Sequence, residues 1–551
     1  MLNSTPLQPR LPKRPRINNQ NDSPLPSLTS PSPSTPIAIR PPFLTLNQNL
    51  SYTTPQRPLA SQKSRKIYRN GYESKPKTPS YTPYKLNNPG HPRQHAFAFS
   101  NFQKLPAMET ISARRWNELA ISEGVLKVGQ HLRDYQVEAS NIILSRWWDL
   151  CVIAPTGAGK SLLWVLPLLA QRKAIAVVII PYTSLGFQGE QRHSGSNIKC
   201  TFLHSGANSK AELEEIARGG EKHVIYTCVE MLETPGVAQV LHSASFQAQL
   251  SGVYIDEAHV LHESHSWRPG YARLNILRTI IGTDAPLVCI SATLPKRYRN
   301  SLQIFAGLRP DYYLINLGNF RPELSTIISH MQHPASSFLD LAFVLPWNST
   351  AESIQQTIIY SDDLDVLTSM FWWFHARLGS INLPVTLIDI LHAGLSEKHQ
   401  KLCTADFIAG KSRILLGSDK IGAGMDFPHV TLVVQYRCRG LTIVRWEQRR
   451  GRGGRRDGIT ALGVILVEKS MTGDDDNDNL STQCPKSEDP GMLDLIQTEG
   501  CQEAVVDVWL ENPPRETLAL CGRCSNCNPA LCLSTNYSWV MEDPRPHKER
   551  A

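Results

Sequence analysis

Between residues 111 and 469 the chain alternates short runs of consecutive apolar residues with stretches of helical periodicity. The runs at 150–153, 176–180, 224–227, 253–255 and 287–290 are too short for core helices and show no polar alternation, so they read as strands buried on both faces. After Arg321-Pro322 a second series follows at 357–360, 385–390, 414–417, 432–434 and 464–467. Strands of this kind separated by helical segments imply parallel sheets covered by helices on both sides. The pattern predicts two tandem α/β domains, at 108–318 and 319–469. It also predicts a helix around 116–125 and another from Lys160 to Leu169.

The remaining segments differ in composition. Residues 1–107 are rich in Pro, Ser, Thr and Asn with no sustained apolar period, and are expected to form a disordered tail. The net charge of +8 is uneven: residues 1–108 carry 15 Lys and Arg against Asp22 and Glu73, a balance of +13, which leaves −5 for the rest. Any grip on nucleic acid by the globular part must therefore be local. Pro12-Lys13-Arg14-Pro15-Arg16 has the composition of a nuclear import signal, or equally of a solvated basic tail. Prolines there disfavour the amphipathic helix of a mitochondrial leader. No stretch reaches the roughly 20 apolar residues of a membrane helix, and no membrane partner is expected. Residues 470–493, with Gly473-Asp474-Asp475-Asp476-Asn477-Asp478, read as an acidic disordered insertion, 494–532 as a cysteine-rich module and 533–551 as a polar tail.

Chemistry concentrates at four places. The strand at 150–153 runs into Ala154-Pro155-Thr156-Gly157-Ala158-Gly159-Lys160-Ser161. A glycine-bearing turn between strand and helix points backbone N–H groups at phosphates; the lysine reaches the β/γ oxygens and the serine hydroxyl joins Mg²⁺. Ala154 stands where the commonest pattern has Gly. The strand at 253–255 ends in Asp256-Glu257-Ala258-His259. An acid pair at that position can hold a metal, here through Asp256, and orient an attacking water, here through Glu257; the plain alternative is a helix N-terminus carrying acids against its dipole. Ser291-Ala292-Thr293 ends another strand. Gln448-Arg449-Arg450-Gly451-Arg452-Gly453-Gly454-Arg455-Arg456 is the densest arginine cluster. It is a solvated basic face or a nucleic-acid patch, or it supplies guanidiniums to a phosphate-cleaving site; Arg452 and Arg455, spaced for one side of a helical turn, are then the arginine fingers.

Five of twelve cysteines lie between 501 and 532. Cys521-x-x-Cys524-x-x-Cys527, with Cys501 nineteen intervening residues earlier, offers four thiolates for tetrahedral Zn²⁺, and Cys532 is an alternative fourth ligand. This spacing favours a metal site over a disulfide framework.

In order, Arg133/Gln136, the loop at 154–161, Asp256–His259, Ser291–Thr293, Gly422–Asp426 and Gln448–Arg455 resemble the motifs of superfamily 2 helicases. Tyr226-Thr227-Cys228-Val229-Glu230, His392-Ala393-Gly394-Leu395, Gly422-Ala423-Gly424-Met425-Asp426 and Gln448-x-x-Gly451-Arg452-x-Gly454-Arg455 resemble the RecQ branch. The resemblance implies two RecA-like P-loop domains followed by a small helical zinc module, and a 3′-to-5′ ATP-dependent DNA helicase acting on single-stranded and forked DNA in repair, recombination or chromosome maintenance in the nucleus. It implies ATP, Mg²⁺ and Zn²⁺ as cofactors, Arg133 and Gln136 at the adenine, and Asp426 and Gln448 at the nucleotide. Pro181 to Leu185, Thr227 and Glu230 would follow the nucleic-acid strand. Oligomeric state is open and a monomer is compatible with it. In two respects the sequence departs from the family. The segment from Val260 to Pro269 lacks its Gln-Trp-Gly, leaving Trp267 and His265 to stack on a base, and the residues after the cysteines are too few for a winged helix. An RNA helicase and a catalytically uncoupled DNA-binding scaffold are the competing readings.

Overall fold

The computed structural model describes residues 110–192, 195–205, 209–265, 268, 270–275, 277–278, 285–422, 425–471, 488–515, 521–531 and 533. The basic tail with Pro12–Arg16, Trp267, Ala423, Gly424, the acidic run at 473–478 and Cys532 lie outside the described residues, as does all of the C-terminal tail but residue 533.

Thirteen strands form two parallel sheets among the described residues. The first contains β1 (Leu150–Ile153), β2 (Ala174–Ile179), β3 (Lys199–Leu203), β4 (Lys222–Thr227), β5 (Leu250–Ile255), β6 (Leu287–Ser291) and β7 (Tyr313–Asn316), in the order β3-β4-β2-β5-β6-β1-β7. The second contains β8 (Leu324–His330), β9 (Thr357–Tyr360), β10 (Ile388–Leu391), β11 (Ile414–Gly417), β12 (Leu432–Tyr436) and β13 (Ala461–Val467), in the order β10-β11-β9-β12-β13-β8. Seven helices matter below: α1 (Ala113–Ser122), α2 (Asp134–Ser145), α3 (His259–Ser264), α4 (Lys296–Ala306), α5 (Ile443–Arg450), α6 (Pro490–Gln497) and α7 (Gln502–Leu510). No described helix is long and apolar enough to cross a membrane.

Continuous apolar strands are what two covered faces require, because successive side chains point to opposite sides. In β2, Ala174, Ala176 and Val178 join one core with α1 and α2, while Ile175, Val177 and Ile179 join the core on the other face. In the second sheet Ile359 faces one core and Ile358 and Tyr360 the other. The helix Thr183–Arg192 lies so close to its sheet that a Cβ on Gly186 would stand 2.4 Å from Phe202, and one on Gly189 2.5 Å from Tyr226.

All ten expected strands form, with three differences in kind. β3, β7 and β8 were not anticipated: all three are edge strands, where polar residues such as Lys199, Ser325, Ser329 and His330 take positions that are only partly covered. The stretch 385–390 splits into a 3-10 turn, Val385–Leu387, and β10, since Pro384 precedes it and supplies no N–H for pairing. The helix expected from Lys160 to Leu169 is a 3-10 segment, Lys160–Trp164, followed by a single α turn, Leu166–Leu169. Pro167 cannot donate to the carbonyl one turn back, so a continuous α-helix is broken there.

Trp164 ties this segment to the sheet: it is buried, and its Nε1 donates to the Tyr226 hydroxyl at 3.0 Å. Replacing it leaves a large cavity and an unpaired phenol. We expect Trp164→Ala to destabilise the first domain by about 3–5 kcal/mol, seen as a lower urea midpoint for its unfolding transition.

Candidate active site

The strand order brings the chemistry together. β5 and β1 flank β6, so the segments leaving their carboxyl ends, Asp256–His259, Ala154–Ser161 and Ser291–Thr293, meet at one edge of the first sheet.

The loop at 154–161 is held by residues around it. Gly157 and Gly159 adopt φ of 84° and 79°, left-handed values that suit glycine. Gln136 donates from Nε2 to the Gly159 carbonyl at 3.0 Å and accepts the Arg133 N–H at 2.9 Å, while the Tyr135 hydroxyl donates to the Ala158 carbonyl at 2.8 Å. Both ends of the Gln136 amide are therefore engaged in shaping the loop, and Arg133 is exposed at the start of α2. Tyr135 escaped the sequence reading; its one signal was its place inside the Arg133–Gln136 motif. Lys160 Nζ donates to the carbonyls of Ala154 and Pro155 at 3.1 and 3.2 Å. Burial pushes its ammonium below the usual value against the pull of Glu257 and Asp256. Ser161 follows in the same 3-10 turn.

Glu257 sits at φ 49°, a conformation that costs a non-glycine residue on the order of 1 kcal/mol and is typical of functional turns. Its Oε2 is buried with no hydrogen-bond partner; His259 Nδ1, 3.4 Å away, instead lies 2.9 Å from Ser291 Oγ. Burial and then the Glu257 charge push Asp256 up to about 7. Burial works against ionisation of Glu257 too, but His259, Lys160, Arg452 and Arg455 outweigh it and hold it low. A buried acid pair in which one Glu257 oxygen has no partner and Asp256 is pushed up fits a divalent cation, and Ser161 and Asp256 are the residues that would hold Mg²⁺.

From the second domain the arginine cluster faces this edge, but not as one helical face. α5 ends at Arg450, and Gly451, Gly453 and Gly454 carry Arg452 and Arg455 in turns beyond it. The two guanidiniums still converge, donating to the Met425 carbonyl at 3.4 and 3.1 Å, and Arg455 also pairs with Asp426 at 3.1 Å. Arg452 Nε is buried without a partner, and burial followed by the Arg452 charge lowers Arg455 to about 10. Arg449 and Arg450 are spent elsewhere. Arg449 binds Asp362, Asp419 and Gln435; Arg450 binds Glu447 and Glu503. Burial acts to raise Asp419, yet the Arg449 and Arg445 charges hold it at about 2.

The two domains meet across a cleft whose walls include Tyr182, Glu257, His259 and Glu263 from one side and Asp419, Arg445 and Arg452 from the other. Gln448 Nε2 crosses it to Thr293 Oγ1 at 2.6 Å, and a Cβ on Gly451 would stand 3.9 Å from Thr156 Oγ1. The assembled groups can surround a polyphosphate and present a carboxylate to water.

Comparison with known proteins agrees with this architecture. The DEAD/DEAH box helicase family matches residues 133–301, and the helicase conserved C-terminal domain matches residues 341–457. The chain is similar to the ATP-dependent DNA helicase RecQ of Synechocystis sp., at 25% identity over 338 residues, 59% of this chain and 66% of that protein. It is also similar to the ATP-dependent DNA helicase Q-like SIM of Arabidopsis thaliana, at 30% identity over 214 residues, 36% of this chain and 24% of that protein. The chain is a superfamily 2 helicase related to the RecQ helicases. In fold it is like the DUF1998 helicase MrfA in a crystal structure bound to DNA, with a TM-score of 0.52 at 17% identity, covering 66% of this chain and 52% of that one. The chain thus spans less than two thirds of the length of these relatives, narrowly so for RecQ.

Several positions expected along the nucleic-acid strand of this helicase are engaged internally. Thr227 is buried, with its hydroxyl donating to the Cys228 carbonyl. Glu230 accepts a two-pronged pair from Arg268 at 2.6 and 2.9 Å, and Arg268 also donates to the Pro181 carbonyl at 2.7 Å. His265 stacks on Phe305 at 4.6 Å rather than standing free for a base.

The cysteines form a second centre. The Sγ atoms of Cys501, Cys521, Cys524 and Cys527 all lie within 4.8 Å of one another. A tetrahedral Zn²⁺ with Zn–S bonds of about 2.3 Å needs sulfur pairs roughly 3.8 Å apart, so the set fits it. Burial pushes the Cys524 thiol up to about 11, so a cation is what would hold the set as thiolates. The cluster joins the second sheet: Thr326 N–H donates to the Arg523 carbonyl at 2.8 Å and the Ser525 N–H to the Thr326 carbonyl at 3.0 Å. Protein purified without chelator is expected to hold about one zinc per chain by elemental analysis. Cys524→Ser should lose the metal and raise protease cutting around 488–531; a zinc-free wild type would remove the assignment.

Proposed function

We propose that this chain is an ATP-driven motor of the RecQ type that moves 3′ to 5′ along single-stranded DNA and opens forked duplexes. One observation carries the reading: Arg452 of the second domain lines the same cleft as Glu257 of the first, and Gln448 of the second closes on Thr293 of the first at 2.6 Å. A site split in this way is completed by domain approach and dismantled by separation, which is how hydrolysis becomes movement.

Lys160 and the loop N–H groups would cradle the β- and γ-phosphates, and Arg133, exposed at the start of α2, would lie toward the base. Mg²⁺, held by Ser161 and Asp256, would neutralise phosphate charge. Glu257, kept ionised by its cationic neighbours, orients water for attack on the γ-phosphorus. Arg452 and Arg455 stabilise the charge that develops in the transition state. DNA as the track is supported by the names of the similar proteins and by the four-cysteine module; a grip on phosphates by both domains would need no sequence readout.

The test is ATP turnover with single-stranded DNA, single-stranded RNA or no polymer. DNA should stimulate it strongly. Stimulation by RNA alone would overturn the substrate, and no turnover under any condition would favour a binding scaffold. Lys160→Ala should lower turnover by about a hundredfold or more while DNA binding persists; an unchanged rate would sink the assignment. The basic run Pro12–Arg16 supports a nuclear site of action, and a fluorescent fusion of the full chain that stays outside the nucleus would contradict that.

A further inference from the structure

Helix α3 leaves the Asp256–His259 segment directly and ends at the cleft wall, where it presents Glu263. Glu263 Oε1 accepts two hydroxyl hydrogen bonds: from Tyr298 of α4 in its own domain at 3.1 Å, and from Thr442 of the other domain at 3.2 Å. The His262 ring lies 3.9 Å from the Tyr298 ring, so the phenol is fixed by packing. Thr442 is the N-cap of α5, and its Oγ1 accepts the Arg445 N–H at 3.1 Å. One hydroxyl thus caps the helix with a lone pair and spends its proton across the cleft.

The consequence is geometric. α5 carries Gln448 and leads into Arg452 and Arg455. Near its C-terminal end Gln448 holds Thr293; at its first turn Thr442 holds Glu263. Apolar packing of Ile443 and Trp446 already seats the helix against the first domain but is non-directional; a directional bond at each end gives it a defined tilt. Both anchors in the first domain follow directly from active-site segments, Asp256–His259 and Ser291–Thr293. We propose that Glu263 is a positioning residue, an interdomain anchor that sets the alignment of the arginine-bearing helix against the nucleotide loop. The inference rests on the ATP-hydrolysing reading above.

The experiment is steady-state ATP hydrolysis by the full chain with saturating oligo-dT, for Glu263→Ala, Glu263→Gln, Thr442→Val, Thr442→Ser and the Glu263→Ala/Thr442→Val double variant, each checked by thermal unfolding. Misalignment of catalytic groups by about 1 Å costs up to roughly a hundredfold, so Glu263→Ala should lower kcat by about ten- to a hundredfold with KM for ATP little changed. Glu263→Gln keeps an oxygen that accepts both hydroxyls and should restore most of the loss, as should Thr442→Ser relative to Thr442→Val. The double variant should lose less than the product of the two single losses, because both single variants remove the Thr442–Glu263 bond. A wild-type kcat in Glu263→Ala, an equal loss in Glu263→Gln, or additive single effects would each overturn the proposal. Should Glu263→Ala fail to fold, the Thr442→Val and Thr442→Ser pair decides: equal rates in the two overturn it. A wild type without ATPase activity would instead overturn the functional reading, and this one with it.

Discussion

Charge drawn out of water has to be balanced, and the cleft between the two sheets is where this molecule leaves the balance open. Lys160 on one side and Arg452 and Arg455 on the other face a carboxylate pair that is itself short of partners. Cations disfavoured by burial and by one another, with an orphaned guanidinium nitrogen and an orphaned carboxylate oxygen, describe a socket shaped for a multiply charged anion with its metal. The fold follows from the need to build it. β1 and β5 on either side of β6 deliver the phosphate loop, the acid pair and the Ser-Ala-Thr turn to one edge, the crevice at strand ends where parallel sheets bind ligands.

The arginine cluster shows how such a site is supported. Of its residues, Arg449 and Arg450 are consumed in ion pairs that orient α5, so that Arg452 and Arg455 can be left undercommitted. Arg450 is held by Glu447 and by Glu503, and Glu503 lies two residues beyond the metal-ligand candidate Cys501. The cysteine module therefore buttresses the arginine helix as well as extending the sheet edge. A buried pair of this sort adds little net stability against an apolar replacement, but breaking it by removing one partner is costly. Its contribution is orientation.

Strands that are buried on both faces were legible because their apolar runs have no other reading; the loop at 154–161 and the acid pair were legible because glycines and acids at strand ends carry chemistry. What escaped were features set by tertiary contact. β3 and β8 carry polar residues whose partners come from elsewhere: Thr201 with His223, and Thr326 with Arg450. The helical spacing of Arg452 and Arg455 was misread because α5 stops at its Gly451 cap and two further glycines separate the arginines, while their convergence survives through the Met425 carbonyl. Gln136 was visible as a motif residue, but not that its amide shapes the loop. Glu263 had no signal at all, since the bond that gives it meaning joins residues 179 positions apart.

How the two domains are held bears on how they could move. Near the cleft the bridges are single hydrogen bonds, Gln448 to Thr293 and Thr442 to Glu263. Farther out, α6 and α7 reach back to α4 through Arg297–Asp489 at 2.6 Å and Arg299–Glu511 at 2.8 Å, and the Glu511 carbonyl accepts Asn316 at 2.7 Å. Each contact is worth about 1 kcal/mol net, which is small beside tight binding of a polyphosphate. The apolar core of the first domain, however, continues into Ile443 and Trp446 of α5 and Met492 and Leu495 of α6, and exposing that surface costs roughly 25 cal/mol per Å². Opening is therefore easiest as a rotation that breaks the polar bridges at the cleft while the apolar seam stays closed. Such a hinge would separate Arg452 and Arg455 from Lys160, the displacement that the proposed nucleotide-gated motor requires.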